Sequence, residues 1–500
     1  MNTRISKIPE GAGVLFFIQI FATLGFAVLY STLVLYTTQH LHFAAADATT
    51  MMGVFGAFNY GLHLFGGYLG GRFLSNRTLF VGGMILQAIG CGCIAGGTAA
   101  LLYVGLALFL TGSGLNVTCI NMMLTQRFKP EDPRREGAFL WNYAGMNIGF
   151  FVGFTAAGHY QATQSYSHLF VFATIGNAAA ILITLVFWKT LTDRDTPLSE
   201  TDAPTFRRRN AIGGLILFGL VPIVWLLLQH PHGTGALVKV ISVVVALSLA
   251  WLTLKHPDVR EKRNMWAYLI LTIGSLVFWA LYQMAPSGLQ LFAVNNVDRN
   301  VWGVTVEPQW IQNINTVVIV VGGPLMSALF VRLRARGWKI DVPKQFAASL
   351  VLMGVGFLLL PAGIAFADDK GMSAFKWLFW SYILQSIGEL LISPVGYAMI
   401  GKLAPKQYQG LMMGSWMFVT GLASILSGDF SSMVPEPSET AGATVTNPVY
   451  SKLFIELGCG SLVVGVALVV LTPLLRKLIT DGVEPAATSA EPEPETAAAA

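Results

Sequence analysis

The run Gln385-Ser-Ile-Gly-Glu-Leu-Leu-Ile-Ser-Pro-Val-Gly-Tyr-Ala-Met-Ile400 is apolar except for one carboxylate in its interior, Glu389. An ionised side chain at the centre of a membrane helix costs about 2.5–3.5 kcal/mol, so such groups face a bundle interior or a polar cavity. A carboxylate placed there can accept hydrogen bonds from a cationic ligand or take up a proton. Gly388, Ser393, Pro394 and Gly396 surround it, residue types that soften a helix or let a neighbour approach closely. The stretch reads as one wall of a transport pathway. The plainer reading is a structural Glu neutralised by protonation or by a single neighbour.

Elements long enough to carry such a wall are abundant. The chain of 500 residues is 54% hydrophobic and only 11% charged, with 52 Gly, more apolar surface than a soluble fold of this size can hide. Spans of roughly 20 apolar residues are expected at 12–38, 51–70, 78–97, 100–123, 138–159 and 168–188, then at 210–229 and 237–253. Six more are expected at 267–286, 311–331, 345–367, 376–401, 410–432 and 452–475. That makes an all-α protein of fourteen transmembrane helices with both termini on one side. The four Cys fall in apolar segments and make neither a disulfide framework nor a metal site. No cleavable signal peptide is evident, because the first apolar stretch is long and lacks a small-residue cleavage site.

Orientation follows from the loops. Of the 31 Lys and Arg, all but Lys239, Arg299, Lys370, Lys376 and Lys452 fall on the side of the termini. That side is expected to be cytoplasmic, in a bacterial-type inner membrane. A soft charged segment, Thr190 to Arg209, precedes the seventh span, and Lys255 to Asn264 follows the eighth. The grouping is therefore an N-terminal six-helix bundle (1–189), a linker with an inserted helix pair (190–264) and a C-terminal six-helix bundle (265–478). A low-complexity Pro/Glu/Ala tail (479–500) is expected to be disordered. Two six-helix halves suggest the major facilitator architecture, with its solute site between them near mid-membrane.

Several motifs sharpen this. Gly66-Gly-Tyr-Leu-Gly-Gly-Arg-Phe-Leu-Ser-Asn-Arg77, between the second and third spans, resembles the Gly-rich cytoplasmic signature of major facilitators, with Gly71 where an acid usually stands. Asp132-Pro-Arg-Arg-Glu-Gly-Ala-Phe-Leu-Trp-Asn-Tyr143-Ala-Gly-Met-Asn147-Ile-Gly149 resembles the fifth-helix signature of the proton-dependent oligopeptide transporter family. Phe278-Trp279-Ala-Leu-Tyr282-Gln283, Val306-Glu307-Pro308 and Asn313-Ile-Asn315 are similar to its seventh and eighth helices. Gly388-Glu389-Leu-Leu-Ile-Ser-Pro-Val-Gly396 and Gly414-Ser-Trp416 are similar to its tenth and eleventh. That family also carries an inserted helix pair, which 210–253 reproduces, and the resemblance spans about residues 12–475.

The resemblance implies that Glu389, Asn147 and Asn315 receive a substrate's α-amino group. An ammonium has three donors and no acceptor, so a carboxylate and two amide oxygens suit it. It further implies that Trp279, Trp416 and Tyr143 line side-chain pockets, with Tyr60 and Thr420 at other binding positions. The aromatics could equally serve packing or lipid contact, and the two Asn interhelical hydrogen bonding. His63 and His159 read as packing residues rather than proton relays.

The chain departs from that family where a substrate carboxylate would be held. The first-helix Glu-x-x-Glu-Arg pattern is replaced by Gln19-Ile-Phe-Ala22-Thr23, and Val117 stands where the fourth helix supplies a Lys. Gln283 occupies the place of a seventh-helix acid, and Phe292-Ala-Val-Asn295 that of an outer Asp-Arg pair. Cations and carboxylates are lost together, which avoids the roughly 3–5 kcal/mol of an unpaired buried charge.

The function expected from the resemblance is a secondary active transporter of a small peptide or peptide-like amine, working by alternating access. Proton coupling is expected to run through Glu389, the one titratable family-type group left in the cavity. A second form is an ordinary di- or tripeptide:proton symporter whose neutral donors (Thr23, Asn116, Thr118, Tyr30) hold the carboxylate. The same residues also suit a metallophore or polyamine-like solute, or a receptor or partner subunit that no longer transports. No enzyme is expected, since no nucleophile–base pair, phosphate loop or metal cluster appears. No cofactor, metal or nucleic-acid partner is expected either; the partners are the solute, a proton and the bilayer.

Overall fold

The computed structural model describes residues 11–129, 132, 134–338, 340–434 and 442–480. Residues 481–500 of the Pro/Glu/Ala tail and the basic residues Arg4 and Lys7 lie outside them, while Ile479 and Thr480, expected to begin the tail, are the last residues of a helix. The first six helices are α1 (Ala12–Leu35, prolonged by a π-turn over Tyr36–His40), α2 (Ala45–Leu69), α3 (Asn76–Ile94), α4 (Ala99–Thr125), α5 (Arg134–Ala162) and α6 (Tyr166–Val186). The inserted pair is α7 (Ala203–Gln229) and α8 (Pro231–Lys255). The last group is α9 (Val259–Tyr282), short α10 (Gly288–Asn296), α11 (Pro308–Ala335), α12 (Val342–Ala365), α13 (Phe375–Leu403), α14 (Gln409–Ser432) and α15 (Ala443–Thr480). Fourteen of these are long enough to span a membrane, and twelve are also apolar enough along their length. The other two, α2 and α5, carry buried amides such as Asn59, Asn142 and Asn147, which lowers their apolar average.

Local chemistry sets the helix starts. Ser75 and Thr98 accept from the backbone N–H three residues on, as do Asp202, Asp258 and Asp341, satisfying donors that a first turn leaves open. The expected span 267–286 is interrupted. Its helix stops at Tyr282, turns through Gln283–Ser287, and resumes as α10.

The segment 190–209, read from composition as soft, is built into the fold. Its residues 190–202 pack under the α2–α3 turn, and the Arg207–Arg209 cluster already belongs to α7. Asp193 Oδ2 accepts from the Asn76 backbone N–H (2.8 Å) and from Asn76 Nδ2 (3.1 Å), so it serves the first turn of α3. Leu198 donates to the Gly71 carbonyl (2.8 Å), and Arg127 donates to the Thr190 carbonyl (2.8 Å). Gly71 sits at φ +73°, where an acid would be strained, and a Cβ there would press on Thr196.

Within the first six helices α1 packs on α5 and α6, and α3 on α4 and α6. Within the last group α12 packs on α13 and α15, and α9 on α14. The two halves meet chiefly where α2 crosses α14 and α5 crosses α11. In lipid, helices gain little from apolar burial alone, so close approach of small residues matters. The α2–α14 seam shows this: a Cβ on Gly53 would lie 2.8 Å from the Ser424 carbonyl oxygen and 3.2 Å from Gly428 Cα.

Candidate functional site

Between the halves lies a cavity of about 940 Å³, lined from α1, α2, α4 and α5 on one side and α9, α11, α13 and α14 on the other. It runs to the face holding the start of α1, the end of α15 and most of the basic residues, where Tyr68, Arg72, Thr125 and Gly410 form its mouth. At the opposite face the halves are bonded shut. Trp310 Nε1 donates to the Thr155 carbonyl (3.0 Å), Gln309 Nε2 to Gln161 Oε1 (3.0 Å), and Gln290 Nε2 to the Ser31 carbonyl (2.6 Å). Deeper in, Tyr30 donates to Gln283 Oε1 (3.3 Å).

Glu389 reaches the cavity from the middle of α13. Asn315 Nδ2 donates to its Oε2 at 2.7 Å and to Ser386 Oγ at 3.0 Å. The Tyr282 hydroxyl is the other hydrogen-bonding neighbour of the carboxylate. With its nitrogen turned to Glu389, Asn315 keeps its amide oxygen as a free-standing acceptor. Asn147 behaves alike, since its Nδ2 donates one turn back to the Tyr143 carbonyl (2.9 Å) and leaves Oδ1 as its acceptor. Both asparagines line the same cavity as Glu389.

The remaining sequence candidates line this cavity as well: Tyr60, Tyr143, Trp279, Trp416 and Thr420. Trp416 is buried, lying over Gly396 and edge-on to Phe346 at 6.3 Å. Trp279 sits edge-on to Phe278 (5.3 Å) and Tyr282 (5.4 Å), while Tyr143 stays open at 45% exposure and can meet a ligand directly. Thr420 Oγ1 turns back to the Trp416 carbonyl (3.4 Å). His63, read as packing, lines the cavity edge-on to Tyr60 (5.9 Å), whereas His159 is exposed on α5 beside Tyr160.

Gln19, Ala22, Thr23 and Val117 also line the cavity, and Gln283 sits just behind it under Tyr30. The first-helix positions form a neutral chain: Asn142 Nδ2 donates to Gln19 Oε1 (3.2 Å), and Gln19 Nε2 donates to Thr23 Oγ1 (2.9 Å). Among the described lining residues, Glu389 is the only carboxylate and Arg72, at the mouth, the only guanidinium or ammonium. Arg72 lies 5.1 Å over the Tyr68 ring.

Two charged pairs sit at or beyond the ends of the spanning helices. Arg299 and Glu307, 3.7 Å apart on the bonded-shut face, are partly buried; that burial pushes the carboxyl up and the guanidinium down. On the mouth side Arg134 holds Asp132 down to about 2, through side-chain and backbone hydrogen bonds.

Sequence reasoning did not assign Tyr282, Ser386 or Asn142. A spacing signal existed for two of them: Ser386 precedes Glu389 by three residues on one helix, and Tyr282 follows Trp279 by three. Asn142 carried none, because its partner Gln19 is 123 residues away.

Residues 14–447 match the model of the POT family (PTR2). The chain belongs to the POT family. It is 31% identical over 479 residues to dipeptide and tripeptide permease A of Enterobacter sp. (strain 638), covering 94% of this chain and 93% of that one. It is 30% identical over 485 residues to the permease of the same name from Escherichia coli (strain K12), covering 95% and 94%. The fold of this POT-family protein is shared with solved structures. A peptide transporter POT in complex with sulfate superimposes with a TM-score of 0.82 at 23% identity, over 94% of this chain and 96% of that one. A POT family transporter in complex with 5-aminolevulinic acid gives 0.80 at 22% identity, over 93% and 97%. This POT-family protein is thus a multi-pass membrane protein of a peptide-transporter family.

Proposed function

We propose that this POT-family protein carries a di- or tripeptide, or a similar amine-bearing solute, across a bacterial-type inner membrane by alternating access. The observation that carries the reading is the arrangement around Glu389. Its carboxylate is held by Asn315 at 2.7 Å in a cavity that Asn147 also lines, which suits an α-ammonium. The names of the relatives, dipeptide and tripeptide permeases, support the peptide class. The basic face is the cytoplasmic one by the distribution of Lys and Arg, so the structure is an inward-facing state with both termini inside. Residues 1–189 and 265–478 are the two halves that rock about the site, with 190–264 between them.

Proton coupling runs through Glu389. It is the only carboxylate among the described lining residues, so a proton and a substrate ammonium compete for it. The substrate's carboxylate end meets the neutral Gln19–Thr23–Asn142 chain. Neutral hydrogen bonds are about half as strong as charge-assisted ones, so the free acid gains little over a C-terminal amide. Calorimetric binding of L-alanyl-L-alanine and L-alanyl-L-alaninamide to the purified protein tests this. The expected result is saturable binding of both, with dissociation constants within about tenfold of each other, a difference under about 1.4 kcal/mol. Failure of both to bind overturns the peptide reading, and a strong preference for the free acid overturns the neutral clamp.

A further inference from the structure

The inserted pair has no place in the transport chemistry above, yet it touches both halves. On the mouth side α7 packs against the first half: a Cβ on Gly82 of α3 would meet Leu217 of α7 at 3.1 Å, and one on Gly213 of α7 would meet Leu74 at 2.7 Å. On the bonded-shut face the first turns of α8 lie over the α2–α14 seam, above a small cavity of about 140 Å³ that Thr50 and Val54 of α2 and Ile425 of α14 also line. One ion pair and one longer polar contact reach down to either side of that seam. Lys239 Nζ lies 2.6 Å from Asp429 Oδ2 on α14, and His232 Nε2 lies 3.7 Å from Asp47 Oδ1 on α2. The space beneath α8 is partly unfilled, so polar contacts tie it across the seam at this point more than apolar packing does.

We propose that α8 is a clasp on the α2–α14 seam and that Lys239 is a positioning residue setting the balance between the two access states. Alternating access must part α2 from α14 at this face, since a seam packed through Gly53 and Gly428 leaves no passage. A clasp anchored by α7 on the first half stays with α2 when the seam parts, and Lys239 then leaves Asp429. If α8 instead followed α14, His232 would leave Asp47. Either route breaks one of these contacts, the Lys239–Asp429 ion pair being the shorter, so the clasp favours the closed seam. Lys239 stands out in the charge pattern for the same reason, being one of five Lys and Arg placed away from the basic face. This inference is independent of what the solute is.

The test measures how often the seam opens. Thr49, fully buried against the seam, is replaced by Cys in a background with Cys93 and Cys459 changed to Ala; the other two cysteines are buried. The full-length protein in lipid nanodiscs is labelled with a membrane-impermeant maleimide, and the rate follows the open population. A partly exposed ion pair shifts such a balance by roughly 1.5- to 5-fold, so Lys239→Ala and the near-isosteric Asp429→Asn should each raise the rate by that factor. The exchanged pair, Lys239→Asp with Asp429→Lys, should return it to the starting value, which a loss of folding would not do. Equal rates in all variants overturn the clasp, as does an exchanged pair that labels as fast as the single variants.

Discussion

Replacing Glu389 by Gln removes a charge while leaving the shape of the site almost unchanged. The Gln side chain still presents an oxygen to Asn315 Nδ2, now 2.7 Å from the carboxylate, so the local packing should survive. What is lost is the charge-assisted hydrogen bond to a substrate ammonium, about 1.5–3 kcal/mol for a bond to a charged group. At about 1.4 kcal/mol per tenfold, the dissociation constant of L-alanyl-L-alanine should rise by roughly 10- to 150-fold. Titration calorimetry on the purified variant reads this directly. N-acetyl-L-alanyl-L-alanine, which carries no ammonium, is the control whose affinity should not fall. In proteoliposomes the same variant should lose acceleration of uptake by an inwardly directed proton gradient. It should still exchange bound peptide across the membrane at equal pH. An unchanged dissociation constant would refute the amine assignment, and undiminished gradient-driven uptake would refute the coupling role.

Neighbouring contacts set further expectations. Thr23→Arg places a cation in the neutral wall, so the preference for L-alanyl-L-alanine over its C-terminal amide should grow by about fivefold or more, the gain expected of a charge-assisted bond; an unchanged ratio would place the carboxylate elsewhere. A Cβ at Gly158 would overlap the Trp310 indole, so Gly158→Val should break the Trp310–Thr155 bond and raise maleimide labelling of a buried seam cysteine, with no change meaning this bond does not hold the outer face. Asp193→Ala leaves the Asn76 N–H at the start of α3 without its acceptor, a loss of about 1 kcal/mol for a cap of this kind, and should lower the thermal unfolding midpoint; an equal midpoint would make the Asp193–Asn76 contact dispensable. Arg134 depresses Asp132, so the stability this pair gives is present above the ordinary Asp value and disappears as pH falls through about 2. The Asp132 carboxyl carbon shift should titrate near that pH and move up toward the ordinary range in Arg134→Ala, which keeps the backbone N–H but loses the guanidinium.

Much of this protein was legible in its residues because membrane helices obey local rules. Hydrocarbon thickness fixes span length, backbone groups must bond within each helix, and basic residues gather on one side. Those constraints act on contiguous sequence, so fourteen long helices could be read directly. Glu389 stood out for the same reason: one acid in an apolar run has no cheap explanation. Tertiary structure decided what contiguous sequence does not encode. Gln19, Asn142 and Thr23 form one neutral chain only because α1 lies against α5. The seemingly soft segment after α6 became a structural cap because Asp193 meets Asn76 from 117 positions away. Which face of the cavity is closed depends on pairs such as Trp310 with Thr155 and Gln309 with Gln161, each joining the two halves. Such pairings depend on how helices pack across long separations, and a pattern of period 3.6 along one helix says nothing about its partner. The sequence alone therefore determined the helices and the acid at the centre, whereas only packing between the halves decided which groups share the cavity and which end of it is open.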